Sequence, residues 1–314
     1  MRNAVVIVGS GMMGSGIGAM AALAGRRVIL VDTEESRARR GRERAMDCIR
    51  LREENGLATQ AEAQQAEALL EVSAELPSAV QEAAMVVEAI VENLEAKQNV
   101  FAQLDGLLPP EIPICSNTSG LQITQISALC THPERTMTTH FWLPAHLVPL
   151  VEVVMGQHTS EAMAQRMVEE LKRWKKAPVL VRRDLPGQLA NRIFQAIIRE
   201  AVDIVASGLA SAEDVDTAIS CGMAMRFPEW GPLKHLDAIG LQLGLSVQDS
   251  VLPNLCAEAQ AGTYLRQLVA DGKLGVSSGS GFYDWSARSI DEDMRKRDQF
   301  IIGAVKLKAQ LDGE

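Results

Sequence analysis

Residues 4–32 read AVVIVGSGMMGSGIGAMAALAGRRVILVD, and their order decides the fold. Ala4 to Val8 form an apolar run short enough for a strand buried on both faces. A glycine-rich turn follows, then a helix-length apolar stretch, then a second strand ending in Asp32. A strand–glycine turn–helix–strand unit of about thirty residues opens a doubly wound parallel sheet. Within the GxGxxG segment, Gly9 permits a tight turn, Gly11 lets the backbone approach a pyrophosphate, and Gly14 allows close helix–strand packing. The helix that follows offers free N–H groups and a positive dipole end to such an anion. Asp32 lies where a carboxylate accepts hydrogen bonds from adenosine ribose hydroxyls and repels a 2′-phosphate, so NAD is the expected cofactor rather than NADP. The alternative for Asp32 is a turn or helix cap. The same N-terminal stretch is too often interrupted by glycine to read as an export signal.

Beyond this unit, residues 34–70 are charged, rich in helix formers and free of proline. They predict two helices broken near Asn55-Gly56, a hairpin inserted into the sheet. Arginines 37, 39, 40, 42 and 44 read as a solvated helix face, the alternative being contacts to a ligand phosphate. Strand-like runs resume at 85–90, 113–117, 136–141, 147–154 and 178–183, with helical patterns at 94–105 and 160–174. After Asp184-Leu185-Pro186-Gly187 the strand signals stop. The expected architecture is therefore a Rossmann-type α/β domain over residues 1–184 and an all-helical domain over 185–314. The residues after about 288 read as one polar helix.

The 314 residues are enough for two domains and a core that needs no disulfide or metal. Lys and Arg total 31 against 40 Asp and Glu, a net charge of −9 that argues against nucleic acid or an anionic membrane as partner. No run approaches the roughly 18 unbroken apolar residues of a membrane span. The five cysteines are odd in number and form no CxxC pair. Reduced thiols in the cytoplasm are expected, with no metal site.

Four further segments carry the chemistry: VVEAIVENLEAKQNVF (86–101), SNTSGLQIT (116–124), HFWLPAHLVPLVEVV (140–154) and LPGQLANRI (185–193). Together with the glycine loop and GSGFYDW (279–285), they resemble the L-3-hydroxyacyl-CoA dehydrogenase family from residue 4 to about 285. Oxidising a secondary alcohol with NAD needs a base for the hydroxyl proton, a group that orients the base, and donors around the oxygen. His140 ends a predicted strand, where α/β sheets place their sites. Glu152 lies inside an apolar strand, where a carboxylate is costly unless paired. Pairing with His140 would orient the imidazole and fix its tautomer. The resemblance implies that Ser119 and Asn191 hydrogen-bond the substrate oxygen, and that Glu92 and Lys97 contact the cofactor. A plain surface pair is the alternative for the last two. His132, His158 and His235 match nothing in the family pattern.

Three departures bear on the substrate. The family's HFFNP reads His140-Phe141-Trp142-Leu143-Pro144, so Leu143 replaces an amide. Its KKTGxGFY reads Val276 to Tyr283 without the lysine pair. The segments around 144–152 and 222–232 resemble relatives acting on small free acids: the gulonate dehydrogenase that doubles as lambda-crystallin, and the carnitine and pyridine-carboxylate dehydrogenases. Arg226 would then grip a substrate carboxylate, the alternative being a surface or interdomain salt bridge. The expected activity is NAD-dependent oxidation of a hydroxyl β to a carboxyl on a small hydroxy acid. A true 3-hydroxyacyl-CoA dehydrogenase is the first alternative, and a non-catalytic NAD-binding structural protein the second. The resemblance also implies a homodimer formed through the helical domain, where apolar residues crowd 193–206 and 239–252.

Overall fold

The computed structural model describes residues 2–313. They divide into two compact units, one ending at Ala190 and the other beginning at Asn191. The break falls a little beyond the Asp184–Leu185 step at which strand signals end. Residues 189 and 190 remain hydrogen-bonded to the first unit.

Eight strands build the first unit: β1 Ala4–Val8, β2 Arg27–Val31, β3 Leu70–Ser73, β4 Ala83–Glu88, β5 Ile114–Ser116, β6 Thr136–Phe141, β7 Leu150–Val154 and β8 Ala177–Val181. They form one sheet in the order β3-β2-β1-β4-β5-β6-β7-β8. All neighbours run parallel except β6 and β7, which are antiparallel. Side chains alternate between the two faces. Val5 and Ile7 join the core that holds Ile17, Met20 and Leu171. Ala4, Val6 and Val8 join the core that holds Phe101 and Leu104. Helices therefore cover both faces, as a sheet of near-continuous apolar strands requires.

Helix α1 (Met12–Leu23) follows the glycine turn, and α2 (Glu35–Glu54) with α3 (Gln60–Ala68) forms the expected hairpin between β2 and β3. A reciprocal capping box between Thr59 and Glu62 starts α3. The arginine-rich face of α2 is not wholly solvated. Arg39 pairs with Glu35 on the surface, but Arg42 donates to the Leu70 carbonyl and Arg44 to the Ser10 carbonyl. The short edge strand β3 is absent from the sequence reading. β7 starts only at Leu150, because the Leu147 and Val148 N–H groups fold back onto the Pro144 carbonyl.

The second unit is built from the helices Ala190–Ala206, Ala212–Ala218, Pro232–Ile239, Leu241–Val251, Thr263–Ala270 and Ile290–Asp312. One detail departs from an all-helical unit: Ser280 forms isolated bridges with Gly275 and Asp284. Among the described residues no helix is long and apolar enough to cross a membrane.

Candidate active site

The antiparallel register of β6 and β7 sets His140 directly opposite Glu152. His140 Nδ1 lies 2.7 Å from Glu152 Oε2. Glu152 is fully buried, and its carboxylate is saturated by donors. The Trp142 indole N–H reaches Oε2 at 3.1 Å, and the Leu189 and Ala190 backbone N–H groups reach Oε1 at 2.9 Å each. The two backbone donors converge because Gly187 (φ 79°) and Gln188 (φ 53°) are both left-handed. Glycine adopts that conformation freely, while Gln188 is held in it by its side-chain amide on the Thr118 carbonyl. Burial alone would raise the Glu152 pKa; the bonds from His140, Ala190, Trp142 and Leu189 overcome it and hold the carboxyl at about 2. A charged Glu152 is acceptor-only, so His140 Nδ1 carries the shared proton. Nε2 is then the acceptor of the ring, and no described residue donates to it.

Beside this pair runs the loop that carries Ser119. Its shape is set by Glu92, whose Oε1 accepts from the Thr118 hydroxyl and from the N–H groups of Ser119 and Gly120. Asn117 Oδ1 accepts the Phe141 N–H, tying the loop to the end of β6. Ser119 itself is exposed. Lys97 is 1% exposed, and its ammonium pairs first with buried Glu88 at 2.7 Å and then with Glu92 at 3.4 Å. The surface-pair reading of Glu92 and Lys97 is therefore wrong for Lys97. A direct cofactor contact is also poorly served by an ammonium buried this way; Lys97 holds Glu92, and Glu92 holds the serine loop. Glu88, which also accepts from Ser116 Oγ, escaped the sequence reading although, like Glu152, it places a charge inside an apolar strand.

Along the same carboxyl-end edge of the sheet, two glycines of the loop have a steric reason. Gly9 has φ 98°, and a Cβ there would lie 2.6 Å from the Ala89 carbonyl oxygen. A Cβ on Gly14 would lie 1.9 Å from the Gly9 oxygen, while Gly11 faces open space. No side chain caps the start of α1, leaving its first N–H groups for an anion. Asp32 accepts from the Ser10 N–H and hydroxyl on one oxygen and from the Thr33 N–H on the other. Burial tends to raise its pKa, but these bonds and Arg37 keep the carboxyl ionised. Each oxygen retains acceptor capacity for a ribose hydroxyl. The residues present therefore fit a dinucleotide.

Two buried cations hold the loop between β6 and β7, and the sequence reading missed both. Lys176 Nζ donates to the Ala145 and Val148 carbonyls, and Arg52 to the His146 carbonyl. Burial pushes the Lys176 pKa down to about 7. The remaining predicted residues, Asn191 and Arg226, belong to the second unit. Asn191 follows Ala190 in the chain, and its Oδ1 accepts from Gln195 one helical turn on. Arg226 is exposed, and among the described residues no carboxylate pairs with it. Nor do the described residues contain a group of three or more His, Cys, Asp or Glu that could hold a metal ion.

Residues 4–185 match the NAD-binding domain of 3-hydroxyacyl-CoA dehydrogenase, and residues 187–285 match its C-terminal domain. The chain belongs to the 3-hydroxyacyl-CoA dehydrogenase family. It is thus an NAD-dependent oxidoreductase acting on a CH–OH group. Among its relatives, the probable 3-hydroxybutyryl-CoA dehydrogenase of Bacillus subtilis is 35% identical, over 91% of this chain and 98% of that protein. The 5-formyl-3-hydroxy-2-methylpyridine 4-carboxylate 5-dehydrogenase of Mesorhizobium japonicum is 29% identical over 98% of both. A crystal structure of an enzyme of that name, described as an NAD+-dependent dismutase, superposes with a TM-score of 0.90 at 27% identity, covering both chains fully. The 3-hydroxybutyryl-CoA dehydrogenase structure from Ralstonia eutropha gives a TM-score of 0.74 at 30% identity over 91% of this chain and 99% of that one.

Proposed function

We propose that this dehydrogenase oxidises a secondary alcohol β to the carboxyl group of a small free hydroxy acid. The observation that carries the reading is the buried Glu152–His140 pair, which leaves one imidazole nitrogen poised as an acceptor. His140 Nε2 takes the hydroxyl proton, while Glu152 stabilises the imidazolium that forms and keeps the ring in place. Ser119 and Asn191 donate to the substrate oxygen. When bound, NAD would supply the acceptor for the hydride that leaves the carbinol carbon. Gly9, Gly11 and Gly14 would hold its pyrophosphate and Asp32 its adenosine ribose, while Glu92, steadied by Lys97, holds the serine loop.

The free-acid part of the reading is supported by Arg226, a cation with no carboxylate partner among the described residues. It is also supported by likeness along the whole chain to a pyridine-carboxylate dehydrogenase, where the acyl-CoA relatives cover about nine tenths. A second reading, oxidation of a 3-hydroxyacyl-CoA, is favoured by the higher identity of those acyl-CoA relatives. A structural NAD-binding role is disfavoured, because Ser119, His140, Glu152 and Asn191 are all retained. Following NADH absorbance across free 3-hydroxy acids and their CoA thioesters tests the reading. Turnover confined to the thioesters would transfer the assignment to the second one.

We also infer a homodimer formed through the second unit, since large apolar side chains such as Ile193, Phe194, Leu241 and Leu245 stand about half exposed or more in the single chain. The five unpaired cysteines support a cytoplasmic, reducing setting.

A further inference from the structure

Indole and imidazole share one oxygen of Glu152: His140 Nδ1 lies 2.7 Å from Oε2, and Trp142 Nε1 lies 3.1 Å from the same atom. The other two donors to this carboxylate are main-chain N–H groups on Oε1. Trp142 stands just past the end of β6, two residues on from His140, so the strand's period of two brings both side chains to one side. Their ring centroids are 5.7 Å apart, with planes at 53°. The indole is half-buried, and the loop it opens is pinned by Lys176 on the Ala145 and Val148 carbonyls and by Arg52 on the His146 carbonyl. The family pattern HFFNP has a phenylalanine at this place, which carries no N–H.

A carboxylate spreads its charge over the donors it accepts from, and each added N–H makes it a weaker base. A donor on Oε2 draws on the charge that faces the imidazole. We propose that Trp142 is a positioning residue of the reaction, whose N–H takes a share of the Glu152 charge and so makes His140 a weaker base and a readier acid than the pair alone would be. This rests on the reading of His140 as the base. In the oxidising direction the indole costs some proton affinity; in the reducing direction it helps the imidazolium return its proton to the carbonyl oxygen. The other charged groups on the elements around the pair are Glu92 under the serine loop, Asp184 at the start of the 184–190 segment, and Lys176, Arg52 and His146 at the loop. Burial brings the Lys176 pKa down to about 7, but its ammonium lies against the Phe141 ring, and Phe141 points to the opposite face of β6 from His140. Its influence is common to the forms compared below and cancels in their difference.

The test follows the imidazole itself. Histidine rings labelled with carbon-13 are titrated with pH by NMR in the full-length protein, His140 being identified by the signal lost in His140→Ala. Trp142→Phe should raise the His140 midpoint by about half a pH unit or more. The acid limb of turnover, read by NADH absorbance with 3-hydroxybutyrate and 3-hydroxybutyryl-CoA as probes, should move the same way. β-(3-Benzothienyl)alanine placed at position 142 by codon suppression keeps the shape of the indole and lacks its N–H, so it should give the same rise. That form separates the lost hydrogen bond from a packing defect in Trp142→Phe. In a Glu152→Gln background, Trp142→Phe should leave the midpoint in place, because no charge remains for the indole to share. A midpoint that fails to rise when the N–H is removed, or that rises equally in the Glu152→Gln background, would overturn the proposal while leaving the base reading intact. Wild-type turnover by His140→Ala would instead sink the base reading, and the proposal with it.

Discussion

At the scale of single residues, the chemistry depends on how one carboxylate is satisfied. Glu152 takes four hydrogen bonds from donors only, and its charge is what keeps the His140 proton on Nδ1. His140→Ala should lower turnover by roughly 10²–10⁴-fold, the usual value of a positioned base, with NAD affinity nearly unchanged in titrations. Glu152→Gln keeps the shape but gives four donors only one good acceptor. Turnover should fall by roughly a hundredfold or more, and the pH–rate profile should move, because the imidazole loses its charged partner. Wild-type rates in both variants would mean that the proton leaves by another route. Asp32 makes a separate prediction. A 2′-phosphate placed beside this ionised carboxylate is repelled, so catalytic efficiency with NAD should exceed that with NADP by about a hundredfold or more. Parity between the two cofactors would remove the role assigned to Asp32.

At the scale of elements, the active site is made where the sheet reverses. β7 runs against β6, and only an antiparallel register brings residues twelve apart in sequence face to face across a ladder. The strap from Asp184 to Ala190 then closes over Glu152. Its Asp184 accepts the Thr124 N–H, and its left-handed Gly187 turns the chain so that two successive N–H groups point at one oxygen. Gly187→Val forces a β-branched residue into that conformation. Thermal unfolding should show a loss of about 1–3 kcal/mol, and turnover should fall with it. The depressed pKa of Glu152 also has a direction in stability. Its folded value lies below its unfolded one, so its contribution is fully present above about pH 4.5 and is lost as pH falls through about 2. Acid unfolding of Glu152→Gln should accordingly be less steep across that window than in the wild type; identical acid limbs would show that the carboxylate is not tightly held.

At the scale of the whole molecule, the two units differ in how they bury apolar surface. The sheet unit encloses Trp174, Phe101 and Phe141 almost completely. In the second unit the helix Ala190–Ala206 has no fully buried residue, although its apolar side chains gather on one face. A helix of that pattern is stable only when something covers the face. Light scattering at micromolar concentration should therefore give twice the chain mass. Replacing Ile193 and Phe194 by charged residues should shift the protein toward monomer and lower its melting temperature. A monomeric wild type would show that the exposed face has another occupant.

The sequence by itself determined the nucleotide-binding half. Gly9, Gly11, Gly14 and Asp32 belong to one local unit, and local units can be read because turn geometry and strand periodicity depend on neighbours in the chain. It also marked His140 and Glu152, since a charge inside an apolar strand implies a partner somewhere. Only the tertiary structure decided how that partner is held. Trp142 and the N–H groups of Leu189 and Ala190 reach Glu152 from distant points of the chain, and backbone donors leave no trace in residue identity. The same reason hid Lys176 and Arg52, whose acceptors are main-chain carbonyls; Glu88, which turns Lys97 inward, carried the same signal as Glu152, a charge inside an apolar strand.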